Sequence, residues 1–273
     1  MPVLTYKDFP CVLFPEGHAK DYCFLAQSLS LTFSNKLTES WSFGRNGQDI
    51  KEFGIGGSRD CSVDIAWAVG TSGNPTSLNY NALSGILYHM TGNNSGLLQL
   101  GTHQLKGAYL SKLSVSIQPM MPVIANASFV CSPPEVDAIG ASPYSVAIPP
   151  SKIAYGYSTV IAGGTNLTDG NNASIQFSLD CDRTPSYRLG DSGAYRYLLN
   201  SITKELTLDA TNIQNIINFS GYGDVFSATI KNIDSETVAA LSMSEASRVM
   251  SQSLTTQDGS ILNGSVSLRE IVF

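Results

Sequence analysis

Charge is scarce in this chain. Only 14% of its 273 residues are Asp, Glu, Lys or Arg, against ~25% in ordinary soluble domains. There is no long run of Lys and Arg, and the formal net charge is −6. A tight electrostatic grip on nucleic acid needs cations clustered on phosphates, so that class of function is excluded. Ser, Thr, Asn and Gly fill the gap. A surface of short polar groups suits extensive protein–protein contact, because burying charge is costly; a β-rich secreted protein can share this composition. Apolar runs approaching the ~18 residues of a membrane helix are missing. The first twenty residues, MPVLTYKDFPCVLFPEGHAK, lack a basic region followed by a long apolar stretch, so no signal peptide is expected. The five cysteines, Cys11, Cys23, Cys61, Cys131 and Cys181, form no CxxC pair. Neither a zinc ribbon nor a redox motif is indicated, and buried, reduced thiols in a protein made in a cytoplasm are expected.

Helical periodicity is also sparse. Residues 77–90 place Leu83, Ile86, Leu87 and Met90 at spacings of three and four, which predicts one amphipathic helix. Residues 211–218 and 235–251 are weaker helix candidates. What dominates is alternation. Leu29, Leu31 and Phe33 alternate with Ser30, Thr32 and Ser34; Val63, Ile65 and Trp67 with Ser62, Asp64 and Ala66; Leu113, Val115 and Ile117 with Ser114 and Ser116. Further period-two runs fall at 123–131, 155–161, 174–179, 205–210, 225–231 and 264–272. This is the pattern of half-buried antiparallel strands. Hydrophobic residues make up 42% of the chain, enough for one large domain or two ordinary ones.

Signatures of catalysis and metal binding are incomplete. Gly190-Asp-Ser-Gly193 copies the tetrapeptide around a serine-protease nucleophile, but His18, His89 and His103 lack the context that would activate Ser192. Gly54-Ile-Gly-Gly57 has no following Lys-Ser/Thr and no strand-then-helix setting, so it reads as a turn. Cys11, His18 and Cys23 lack a fourth ligand. Asp180, Asp182 and Asp191 flank a turn beside Arg183 and Arg188, which are expected to compete with any cation. No cofactor, no metal and no catalytic residue is therefore expected.

Residues 132–152, SPPEVDAIGASPYSVAIPPSK, hold five prolines and read as a link between two halves. Ser30-Leu-Thr-Phe33 lines up with Ser174-Ile-Gln-Phe177, Ser40-Trp-Ser-Phe-Gly44 with Ser186-Tyr-Arg-Leu-Gly190, and Ser62-Val-Asp-Ile-Ala66 with Leu206-Thr-Leu-Asp-Ala210. Order and spacing are kept, which argues for a duplicated domain. Each half runs from an alternating strand through a polar, aromatic, Gly-containing connector to a second alternating strand. Residues 111–134 fit a closing strand pair. In this pattern the chain resembles the tail-tube-fold proteins of tailed bacteriophages, in the form with two tube domains per chain.

That resemblance implies a mainly β chain. Residues 1–134 would form one β-sandwich or half-barrel domain with a flanking helix, 135–151 a linker, and 152–273 a second such domain. It also implies a non-enzymatic virion protein of the tail. Its copies, as trimers or hexamers, would close a β-barrel ring that stacks into a tube and meets sheath, hub or terminator proteins. Double-stranded DNA would pass the lumen without specific binding, and no membrane would be involved. Assembly residues on this view are Leu31, Phe33, Trp41, Phe43, Arg45, Ile65, Trp67, Phe177, Arg183, Tyr187, Arg188 and Leu208. Residues 44–60 read either as a loop reaching a neighbouring ring or as a solvated hairpin. A specialised baseplate-hub or neck ring has the same fold. The rivals are a receptor- or carbohydrate-binding β-sandwich with Trp41, Tyr187 and Tyr195 as a sugar platform, and a hydrolase using Ser192.

Overall fold

The computed structural model describes residues 11–18, 21–24, 26–35, 38–43, 49–54, 59–70, 81–101, 103–131, 136–138, 152–156, 160–162, 174–189, 193–210, 226–244, 246–257 and 260–273. The chain is mainly β, as its alternation demands. The strands run β1 (Cys11–Pro15), β2 (Tyr22–Phe24), β3 (Ala26–Asn35), β4 (Thr38–Phe43), β5 (Asp49–Gly54) and β6 (Arg59–Ala68). Helix α1 (Ala82–His89) follows, then β7 (Gly96–Leu100), β8 (His103–Ile117), β9 (Ile124–Cys131), β10 (Val136–Ala138) and β11 (Val160–Ala162). The rest are β12 (Ser174–Ser186), β13 (Arg196–Ala210), β14 (Phe226–Lys231), β15 (Thr237–Met243), β16 (Arg248–Gln257) and β17 (Ser260–Val272).

Eight of these strands form one continuous antiparallel run, in the order β3-β6-β9-β8-β12-β13-β17-β16. The sheet is open: among the described residues, β3 and β16 each pair on one side only. The first part of β8 also carries β7, β1 and β2 as a branch, and β10. Side chains alternate across the run. Val63, Ile65 and Trp67, then Ala125, Ala127 and Phe129, then Ile175, Phe177 and Leu179 all face inward and are buried. They join one core with Leu83 and Ile86 of α1 and with Phe226, Ile230 and Leu241 of the small sheet β11-β14-β15. The core is thus continuous across both halves of the chain. Phe24 meets Trp67 edge-on at 4.9 Å in its interior, a favoured aromatic geometry.

Helix α1 starts where Asn81 caps it, its side chain accepting from the Ser84 N–H. Gly85 lies against the Tyr22 ring, close enough that a Cβ would overlap it. Residues 235–251 are not helical. They form β15 and β16, with a turn between. Ala239, Leu241 and Met243 find partners across a strand ladder with β14, so tertiary pairing overrides propensity. The other weak candidate, 211–218, lies outside the described residues.

Part of the Pro-rich segment is also more ordered than a plain link. Val136–Ala138 pair with β8. At the far end of the segment, Ala154 donates to the Val69 carbonyl and accepts from the Val123 N–H, both at 2.9 Å, and bridges Asn232. Lys152 pairs with Asp234 at 3.2 Å and Glu236 at 2.9 Å. One short stretch therefore ties the β6 end, the β8–β9 turn and the β14–β15 turn together.

Glu270 is the one carboxylate in the core among the described residues. It accepts from the Ser244 backbone N–H at 3.0 Å and hydroxyl at 2.8 Å, and pairs with Lys204 at 3.5 Å. Burial alone would raise its pKa, but these partners outweigh burial and hold it below the usual carboxylate value. A depressed native pKa stabilises above the unfolded value and is lost as pH falls through the native one. Glu270→Gln is therefore expected to flatten the acid limb of the stability–pH curve below about pH 4, read by urea melts at several pH values. Glu270→Ala should cost about 2–3 kcal/mol near neutrality, since charged hydrogen bonds are lost inside the protein. At Gly156 a Cβ would sit 1.9 Å from the Gln118 carbonyl oxygen, so Gly156→Ala should lower the thermal midpoint clearly, whereas the same change at the open Gly92 should not.

Candidate assembly edges and the junction between the halves

The two halves of the long sheet repeat one strand order. In the first, β3 and β6 pair, the last strand β9 inserts beside β6, and the penultimate strand β8 lies outermost. In the second, β12 and β13 pair, β17 inserts beside β13, and β16 lies outermost. Both outermost strands carry a register irregularity, at Leu110/Lys112 and at Val249/Ser251. Between its first two strands each half makes an excursion. In the first it is the hairpin β4–β5, so residues 49–54 of the expected loop are strand. In the second it is the far end of β12 and β13 beyond the irregularity at Asp182/Arg183.

Pairing corrects the sequence alignment at one point. With β3 laid on β12, Leu31 falls on Ile175. Their partners are Val63 and Leu208, so Val63 matches Leu208 and not Thr207. The alignment of 62–66 with 206–210 is one residue out of step, and a slip of one would turn every side chain to the wrong face.

The halves meet where β8 pairs with β12. Ile117, Val115 and Leu113 oppose Ile175, Phe177 and Leu179 on the buried face. On the outward face Gln176 donates to Ser116 at 2.8 Å and Lys112 lies 3.7 Å from Asp180. Arg183 locks the point where β8 leaves β12. It donates to the carbonyls of Leu110 and Gly92, both at 2.6 Å, and lies over the Tyr109 ring at 5.4 Å. Tyr109 in turn meets Tyr197 at 5.8 Å, and the Leu199 N–H donates to Asn93 at 3.1 Å. The strand ends beyond the Asp182/Arg183 irregularity therefore lean on the first half. Burial lowers the pKa of Arg183, with Cys181 and Tyr109 opposing.

The outward face of the run is polar and short-chained. Ser28, Ser30, Thr32 and Ser34 lie on β3, Ser62 and Asp64 on β6, Ser114 and Ser116 on β8, and Thr203 and Thr207 on β13. Among the described residues its acidic groups are Asp60, Asp64, Asp180, Asp182, Glu205 and Asp209; its basic ones are Lys112, Arg248 and Arg269. Six against three leaves it net negative. Ser128 donates to Asp64 at 2.5 Å, and Arg269 faces Glu205 at 3.4 Å.

The sequence-derived assembly residues separate into groups. Ile65, Trp67, Phe177 and Leu208 are buried in the core, because they occupy the inward positions of interior strands. Arg183 acts within the chain. Leu31 is half-buried, and Phe33 is 49% exposed on the open edge of β3. Tyr187 is exposed, and Arg188 covers the Tyr195 ring at 3.1 Å, leaving Tyr195 no free face for a sugar on that side. Trp41 and Phe43 belong to β4, whose side chains lie outside the described residues, as do Arg45, Asp191 and Ser192. Of the aspartates expected to face Arg183 and Arg188, Asp180 is approached by Lys112 and Asp182 accepts from Asn200. Among the described residues no group of three His, Cys, Asp or Glu side chains could hold a metal ion, and no helix is long and apolar enough to cross a membrane. The open edge of β16 was not legible, since its sequence mimics a helix.

Replacing Arg183 tests the junction. Arg183→Ala and Arg183→Lys should both lower stability in urea by about 2–3 kcal/mol, because a lysine ammonium does not reproduce a planar fork that serves two carbonyls and stacks on a ring. A full-strength Arg183→Lys would show that the guanidinium shape is not what holds the halves. No protein-family model matches this chain, and no curated protein matches it either.

Proposed function

We propose that the chain is a structural ring subunit of the tail-tube kind, whose copies join edge to edge into a closed sheet around a channel that passes double-stranded DNA. One observation supports this above the others. The junction inside the chain is a sheet continuation between two halves of the same strand order, and the same two kinds of edge remain open at the ends. On β12 the edge is covered by β8; on β3 it is bare. Phe177, at the matching position, is 3% exposed while Phe33 is 49% exposed. A β16 strand from a second copy, laid antiparallel on β3 as β8 lies on β12, removes both bare edges and covers Phe33. Open edges are otherwise sites of uncontrolled aggregation, and closure is the general remedy.

In such a ring the polar face lines the channel. Short hydroxyls offer hydrogen bonds that exchange readily with water, and the small negative excess disfavours a lasting hold on phosphate. Tail tube, hub ring and neck ring share these requirements, and trimers and hexamers both satisfy the edge argument.

The test is electron microscopy of the purified protein over a concentration series, with its mass in solution measured alongside. Rings or tubes with a threefold or sixfold mass are expected. Phe33→Asp should leave a folded monomer by circular dichroism yet abolish association, since it places a charge where a buried side chain is required. Association undiminished in Phe33→Asp would remove the β3 edge from the assembly.

A further inference from the structure

We propose that Cys61 and Cys131 form a thiol–disulfide exchange site, one that reacts with low-molecular-weight disulfides and closes into a cross-strand disulfide. All five cysteines are buried and none is in a disulfide, but only these two stand directly opposite each other among the described residues, on β6 and β9. Directly opposed residues in an antiparallel pair have Cβ atoms about 4.5–5.5 Å apart, and a disulfide needs about 3.5–4.5 Å, so a small local shift closes the bond. A cavity of about 290 Å³ has Cys61 in its lining, with Thr32, Ser34, Ser62, Tyr187 and Tyr197 around it. A small reagent therefore has a place to dock against the strand that carries one member of the pair.

The two sulfurs are also unequal. A hydrogen bond from the Cys131 thiol favours the Cys61 thiolate against the cost of burial. The same bond, with burial behind it, holds Cys131 protonated. Cys61, the member of the pair that lines the cavity, is the attacking group in this proposal and Cys131 the resolving one. Cys11 and Cys23 offer a contrast inside the same molecule. They are staggered, Cys11 opposing Phe24 and Cys23 opposing Val12. Burial pushes both thiols up to about 12.

The step balances without any bound cofactor. The Cys61 thiolate attacks one sulfur of the external disulfide, whose S–S bond breaks, and the first small thiolate leaves. Cys131 gives up its proton and attacks the Cys61 sulfur of the mixed disulfide, expelling the second thiolate. Two protein thiols are oxidised to one disulfide, the reagent is reduced to two thiols, and the two protein protons end on them. The product staples β6 to β9 in the middle of the first half. This site stands apart from the ring reading and holds whether or not that reading does.

Glutathione disulfide is the probe. The folded full-length chain is incubated with it, quenched in acid, alkylated and mapped by mass spectrometry under non-reducing conditions. The expected result is loss of two thiols, a Cys61–Cys131 cross-link, and a raised thermal midpoint that dithiothreitol reverses. Cys131→Ser should stop at a single glutathionyl group on Cys61. Unreacted thiols in the folded wild-type chain, or a cross-link or adduct that maps to Cys11, Cys23 or Cys181 instead, would overturn the proposal. The wild-type map decides the matter even where a serine variant fails to fold.

Discussion

A β-strand presents two rows of backbone hydrogen-bonding groups, and a single neighbour satisfies only one of them. Everything else in this chain depends on how the second row is met. Interior strands of the long run are paired on both sides, which holds their register along the whole ladder. The halves are joined by the same device and not by an interface of side chains alone: β8 and β12 share a ladder, so the join has the stiffness of a sheet. Among the described residues only β3 and β16 reach the end of the run with a row unmet, and the proposed function follows from that remainder.

Around this ladder, polar groups inside the protein are placed where strands change partners. Arg183 sits where β8 turns from β12 toward β7 and satisfies carbonyls of two separate segments. Glu270 sits where β17 passes the turn after β15 and collects donors from Ser244 and Lys204. A buried charge is costly unless it is paired and hydrogen-bonded. Glu270 meets that condition in full and Arg183 in part, through two carbonyls, and both do so with partners far away in sequence, so each one records a contact that only the correct topology can make.

The fold class was legible because most strands have one wet face. Val63, Ile65 and Trp67 announce β6, and Ile175, Phe177 and Leu179 announce β12, by period-two alternation alone. The strands β1, β2 and β7 were not legible. Cys11, Val12 and Leu13, and Leu98, Gln99 and Leu100, are buried on successive positions, so no alternation marks them. The start of β16 was misread: 248–251 fell in the stretch 235–251 that reads as a weak helix, and the ladder with β17 overrides it. Of the candidate edge, Phe33 was found from its strand pattern, while its exposure came from a missing neighbour that no local pattern encodes. Arg183 stood out in the sequence as a charge beside a strand, yet its carbonyl partners at Gly92 and Leu110 are set by tertiary structure.

The stitch formed by Lys152–Gly156 gives the join a kinetic meaning. It ties Val69, Val123 and Asn232 into one knot, so the second half is delivered beside the first at a local concentration fixed by the chain and not by the solution. The β8–β12 ladder therefore forms at any dilution, in a first-order step. In the proposed ring every second seam is of this kind, and the angle between neighbouring units is written into each subunit before it meets another. Dilution then acts on only half of the seams, and curvature is inherited from folding instead of being negotiated during encounter.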